Sequence, residues 1–253
     1  MSDAATGDDA TVSAAYADYA ADRADPRFTD WCRERTGESW TAATDHRFTR
    51  ELHADTLDDD VFRRYLVQDY AVVESLVGAF GHAVGEAPSM AAKSRLVEFL
   101  GTVTGDEDDY FERSFDALGV PESTHADPPL AEPTAAFQDL IGRATGRGGY
   151  AETLAVLVPA EWVYLTWASG HDERPDRFYL AEWVDLHAVD AFAEFVGWLR
   201  RELDREGAAA NPRRQARIAD LFARTVDLEA AFFDAAYDGD RSLVPEQATE
   251  GDA

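Results

Sequence analysis

The stretch Val158-Pro159-Ala160-Glu161-Trp162-Val163-Tyr164, flanked by Leu154, Val156, Leu157, Leu165 and Trp167, is apolar except for one carboxylate. It reads as a helix interior, where a carboxylate without partners is costly to bury. Glu161 therefore needs a reason. On a helix Tyr164 falls one turn beyond Glu161 on the same face, so the two would offer an acid and a phenol to one cavity. The alternative is that Glu161 reaches solvent between two buried faces.

The same spacing runs through the rest of the chain. From Phe28 it passes through Trp31, Trp40 and Phe48, with Gly37 marking an interruption. Asp58-Asp59-Asp60 supplies an N-cap and a negative first turn for a long helix carrying Val61, Tyr65, Leu66, Tyr70, Val73 and Leu76. A second long helix starts at Pro88-Ser89, crosses the acidic run Asp106–Asp109 and stops at Gly119 and Pro121. Residues 121–133 hold four prolines and read as a loop before a helix from Thr134, which Gly146-Arg147-Gly148-Gly149 breaks. Pro159 removes one backbone hydrogen bond and should kink the Glu161 helix. A loop after Gly170 leads past Phe178, Tyr179 and Trp183 to a helix with Phe192 and Phe195. Asn211-Pro212 opens the last helix, which ends near Tyr237. No alternating strand pattern is present, so the expected class is all-α: a disordered acidic leader over 1–26, one helical domain over 27–238 and a flexible acidic tail over 239–253.

Charge narrows the partners. The 253 residues carry 50 Asp and Glu against 23 Lys and Arg, a formal net charge of -27. Such a chain repels phosphate backbones and anionic lipid, which argues against nucleic acid and membrane surfaces. Its single lysine, Lys93, and its acidic, Arg-based composition resemble proteins of salt-loving archaea, which work where screening shortens charge repulsion to about 3 Å at 1 M salt. The first 24 residues lack a signal peptide's basic start and apolar run, and no apolar run approaches the roughly 20 residues of a spanning helix. A cytoplasmic location is expected. The one cysteine, Cys32, excludes an intramolecular disulfide and reads as a small core or surface residue.

Two further carboxylates sit in apolar helical surroundings: Asp69 in Tyr65-Leu66-Val67-Gln68-Asp69-Tyr70, and Glu229 ahead of Phe232-Phe233. Three isolated acids on three long helices can meet in a bundle core, or can be ordinary boundary residues. A di-iron site would require Glu-x-x-His on two helices, and the one instance, Glu122 to His125, falls in the proline-rich loop. Neither metal nor organic cofactor is expected. Gly146–Gly149 lacks the Lys-Ser/Thr ending and preceding strand of a phosphate loop.

His46-Arg47-Phe48, Gln68-Asp69-Tyr70, Pro159-Ala160-Glu161-Trp162-Val163-Tyr164 and Glu229 with the aromatics up to Tyr237 together resemble the TenA/thiaminase II family, of the heme-oxygenase-like helical superfamily. The resemblance spans about Phe28 to Tyr237. It implies a helical bundle with an aminopyrimidine pocket, hydrolysis of aminomethylpyrimidine to hydroxymethylpyrimidine in thiamin salvage, no cofactor, and a homo-oligomer, either tetramer or dimer. By position it implies that Asp69 binds the ring nitrogens, Glu229 handles proton transfer at the leaving group, and Tyr164 is the central helix's phenol. Many members have a nucleophilic Cys after the proline. Ala160 stands there in this chain, with Glu161 next, so it looks like the cysteine-less branch in which a Glu takes over. Val72, Gln138 and His187 occupy places where the Cys branch has Tyr, and with Tyr70 and Phe48 they complete the implied substrate-binding set. The alternatives are a ligand-binding or regulatory relative without the chemistry, and an oxidative relative in the same superfamily.

Overall fold

In the computed structural model of the protein, which describes residues 13–170 and 174–238, the Glu161 segment is the helix Tyr150–Ala168, α10 of the thirteen α-helices among those residues. No strand occurs among them, and the expected all-α class holds. Leu154, Ala155, Leu157, Val158 and Val163 are fully buried, because α10 is enclosed by α13 (Pro212–Tyr237), α12 (Asp190–Ala209), α5 (Asp59–Glu86), α9 (Glu132–Arg147), α11 (Phe178–Ala188) and α3 (Glu38–Thr44). Each buried Leu or Val side chain among them stabilises the bundle by roughly 1.5–3 kcal/mol. The helix continues through Pro159 to Ala168.

Local signals set the ends. Asp58 caps α5 by accepting from the Asp60 N–H at 2.8 Å, and Asn211 caps α13 by accepting from Arg214 N–H at 3.1 Å. Gly149 starts α10, its N–H donating to Glu152 Oε2 at 3.2 Å. Burial alone would push Glu152 up, but the Arg214 and Arg217 guanidiniums, at 2.7 and 2.5 Å, and the Gly149 N–H hold it at about 2. Between α2 (Phe28–Arg35) and α3 the chain turns at Gly37, whose φ of 55° suits glycine.

The helix expected from Ser89 to Leu118 is α6 (Met90–Thr102) and α7 (Asp108–Leu118), joined without a break by a π-helical turn, Val103–Glu107. A π turn inserts residues at a wider spacing than 3.6, which turns side chains onto a face the α pattern would not give them. α7 ends at Gly119 in the left-handed region, φ 68° and ψ 35°.

Three expectations differ from the structure. Within the leader expected to be disordered, Tyr16–Ala21 forms α1: Tyr16 packs on Phe28 and Trp31 and donates to Pro26 O at 3.0 Å, while Tyr19 is buried. Two tyrosines among Ala and Asp supply the anchoring apolar surface. Residues 1–12 and the tail 239–253 lie outside the described residues. The loop expected over 121–133 contains a short helix, α8 (Glu122–His125), and gives way to α9 at Glu132, with Pro133 in its first turn. Phe178, Tyr179 and Trp183 lie on α11 rather than in a loop. No described helix is long and apolar enough to cross a membrane.

Candidate active site

Between α5, α9, α10, α11, α13 and the π turn lies a cavity of about 380 Å³, in the range of small-molecule sites. Its polar lining comes from Asp69 on α5, Glu161 and Tyr164 on α10, His187 on α11, Glu229 on α13, Asp106 and Glu107 on the π turn and Thr102 before it, and most of the remainder is apolar. Glu161 is half-buried and faces this cavity. It joins Asp69 and Glu229, which are 5% and 3% exposed.

Asp69 is held by a directed chain of hydroxyls. Tyr164 donates to Asp69 Oδ1 at 3.1 Å. A hydroxyl has one hydrogen, so in the 2.8 Å contact between the two phenols Tyr65 donates to Tyr164. Trp183 Nε1–H donates to the Tyr65 oxygen at 3.2 Å. Asp69 Oδ2 is buried without a hydrogen-bond partner. Burial raises the Asp69 pKa, the Tyr164 and Tyr65 hydroxyls oppose it, and the result is about 7. For Glu161, burial and then the like charge of Asp69 give about 8. Burial, Asp69 and Glu161 push Glu229 well above the carboxylate range. Burial and their mutual repulsion thus bias these carboxyls toward their neutral forms.

His187 Nδ1–H donates to the Trp183 carbonyl at 2.9 Å, which leaves Nε2 as an acceptor. Burial lowers its pKa to about 4 against that hydrogen bond, so the ring is neutral near pH 7.

Of the residues singled out in the sequence, Asp69, Val72, Glu161, Tyr164, His187 and Glu229 line the cavity. Tyr70, Gln138 and Phe48, expected in the substrate-binding set, lie outside that lining. Tyr70 follows Asp69 by one residue, about 100° around the helix. It points away, donating to Asp108 Oδ1 at 3.0 Å and packing on Phe111 and Phe115. Gln138 is likewise turned from the cavity-lining Phe137 and donates to Ala71 O at 3.0 Å. Phe48 stands behind Tyr65 at 4.5 Å and stacks on Phe233 at 5.1 Å. Sequence reasoning missed Glu107, Tyr65 as a hydrogen-bonding group, and Trp183.

A cavity of this size in the core of an all-α bundle, with several carboxyls and a phenol in its wall, has the dimensions of a small-molecule site. Residues 33–239 match the TENA/THI-4/PQQC family, and the chain belongs to it. It is 26% identical over 208 residues to the aminopyrimidine aminohydrolase of Halalkalibacterium halodurans, covering 81% of this chain and 92% of that protein. It is 24% identical to the aminopyrimidine aminohydrolase of Helicobacter pylori, covering 78% and 93%. Its fold matches that of a TenA homologue from P. horikoshii OT3 with a TM-score of 0.75 at 20% identity, over 84% of this chain and 99% of the other.

Proposed function

We propose that this protein is an aminopyrimidine aminohydrolase of the cysteine-less kind, converting aminomethylpyrimidine or an N-acylated form to hydroxymethylpyrimidine and releasing ammonia or the amide. The observation carrying this reading is the Asp69 carboxyl, fixed through Oδ1 by Tyr164 while Oδ2 is left open in the cavity that Glu161 and Glu229 also line. An aminopyrimidine offers an amino N–H next to a ring nitrogen, and a carboxyl with one free oxygen can pair with that edge. Val72, Phe137 and Phe232 give the ring apolar walls.

In this reading the ring docks on Asp69. The ionised form of Glu161, made strongly basic by a pKa of about 8, accepts a proton from water as the C–O bond to the exocyclic carbon forms. The C–N bond breaks, and the departing nitrogen leaves with a proton that neutral Glu229 supplies where the substrate has not already brought it. Tyr164 orients Asp69 and has no proton to give up near neutral pH, because burial and the Asp69 charge raise its pKa well above the phenol range. Ala160, where a thiol would stand in the cysteine branch, is buried in the cavity wall. Homo-oligomeric assembly, a cytoplasmic location and adaptation to high salt belong to the same proposal, the last on the net charge of -27. The test is incubation with aminomethylpyrimidine and its N-formyl form in molar salt, with chromatographic detection of hydroxymethylpyrimidine. Absence of that product from both would refute the reading.

A further inference from the structure

The cavity has a direction. Four of its lining residues, Thr102, Asp106, Val189 and Ala191, are exposed, whereas Asp69, Trp183 and Glu229 are buried. The mouth therefore lies between the π turn and Val189, the residue joining α11 and α12, and the hydroxyl chain lies at the floor. Glu107 belongs to the lip that bounds this mouth, yet its carboxyl stands in the enclosure. The charged groups acting on it are Glu161 and Asp69, both of its own sign. No Arg or Lys lines the cavity among the described residues. Five carboxyls, with Asp106 exposed at the mouth and Asp69 Oδ2 unpartnered at the floor, thus share a largely apolar space with no cation to offset them.

From this geometry we infer that Glu107 is a specificity-determining residue, the group against which the substrate's exocyclic ammonium is seated. The inference rests on the proposed aminohydrolase reading and deepens it by naming what distinguishes an amine from a neutral substituent. An ammonium entering past the lip is the one ligand charge that relieves the repulsion among the carboxyls. It allows Glu107 to ionise as it binds, with the proton released to solvent. A formylated nitrogen is neutral, has no such claim on Glu107, and draws its proton from Glu229 instead. The π turn makes this possible, since it rotates Glu107 onto the cavity face within a run, Asp106–Asp109, that would otherwise be a solvated acidic helix start.

The test compares affinities by calorimetry for aminomethylpyrimidine, a cation at neutral pH, and for hydroxymethylpyrimidine, its neutral counterpart, with wild type and Glu107→Gln. Molar salt is used throughout, so that surface charge is screened to about 3 Å and only contact effects remain. Glu107→Gln should bind the alcohol as wild type does and bind the amine about ten-fold or more weakly, the lower end for a hydrogen bond to a charged group. Proton release on amine binding, measured in buffers of different ionisation enthalpy, should fall in the variant. An unchanged amine-to-alcohol ratio overturns the inference and leaves the proposed function standing. A wild type that binds the amine without hydrolysing it overturns the proposed function, and the ratio still decides Glu107. If neither ligand binds wild type, both fail. Should Glu107→Gln not fold, Glu107→Asp takes its place: it keeps the charge, and a preference for the alcohol in that variant overturns the inference.

Discussion

Glu161→Gln should stabilise the protein at alkaline pH while abolishing its activity. A carboxyl raised from 4.5 to about 8 on folding is protonated in the native state over a range where the unfolded chain has lost the proton. The folded state then binds more protons than the unfolded one, so stability falls as pH rises. The penalty is absent below about pH 4.5, grows through the window up to about pH 8 and is constant above it. At about 1.4 kcal/mol per pKa unit, the full gap corresponds to roughly 5 kcal/mol. Relaxation and water entry reduce what is realised. Glutamine keeps the shape of the neutral acid and has nothing to ionise, so the variant should match wild type near pH 5. At pH 9 it should be more stable by about 2 kcal/mol or more, a Tm rise of about 4–8 °C for a chain of this size. Thermal melts at pH 5, 7 and 9 in constant molar salt provide the measurement. A Tm difference that does not change between pH 5 and pH 9 would refute the assignment of Glu161 as a carboxyl whose pKa folding raises. The same variant should lose on the order of 10² to 10⁴ in kcat.

Tyr164→Phe cuts the hydroxyl chain at its last link. Asp69 then loses a hydrogen bond that lowers its pKa, and kcat/KM should drop about 10- to 100-fold, with the acidic limb of the pH profile moved to higher pH. Steady-state profiles of wild type and variant check the direction; a shift toward lower pH contradicts the chain's polarity. Glu229→Gln should lower kcat by about 10² or more with little change in KM, whereas Cys32→Ser, at a fully buried residue far along the chain from the site, should leave both constants unaltered. Deleting residues 2–24 removes Tyr16 and Tyr19 from their contacts with Phe28, Trp31 and Glu34 and should lower stability by roughly 2–4 kcal/mol, read from denaturant melts; an unchanged midpoint would mean that α1 contributes nothing to the folded state.

The long helices were legible because each carries its own start: Asp58 for α5, Ser89 for α6 and Asn211 for α13 all accept from a backbone N–H as a capping residue should. Asp69, Glu161 and Glu229 were legible for the opposite reason, as charges where the spacing demanded apolar side chains. Glu107 was hidden by its neighbours, since one acid among Asp106, Asp108 and Asp109 looks like a solvated face, and a π turn leaves no mark in a 3.6-residue period. The directions of Tyr70 and Gln138 were not legible because likeness of stretches carries no azimuth, and one residue's step along a helix moves a side chain by about 100°. Tyr16 and Tyr19 were lost in a low-complexity background, although two aromatics suffice to pin six residues to the bundle.

The π turn also bears on how such a site can diverge. A helix with a wide turn holds one residue more than the regular ladder would use, so its register beyond that point depends on a single insertion. Removing one residue from 103–107 would restore an even α-helix into α7 and swing the lip's side chains to new bearings, while α5, α10 and α13, which hold Asp69, Glu161 and Glu229, would be untouched. The entrance and the floor of the cavity are therefore encoded separately. One changes by length, the other by substitution, and a lineage can retune which ring it admits without disturbing how it is cleaved.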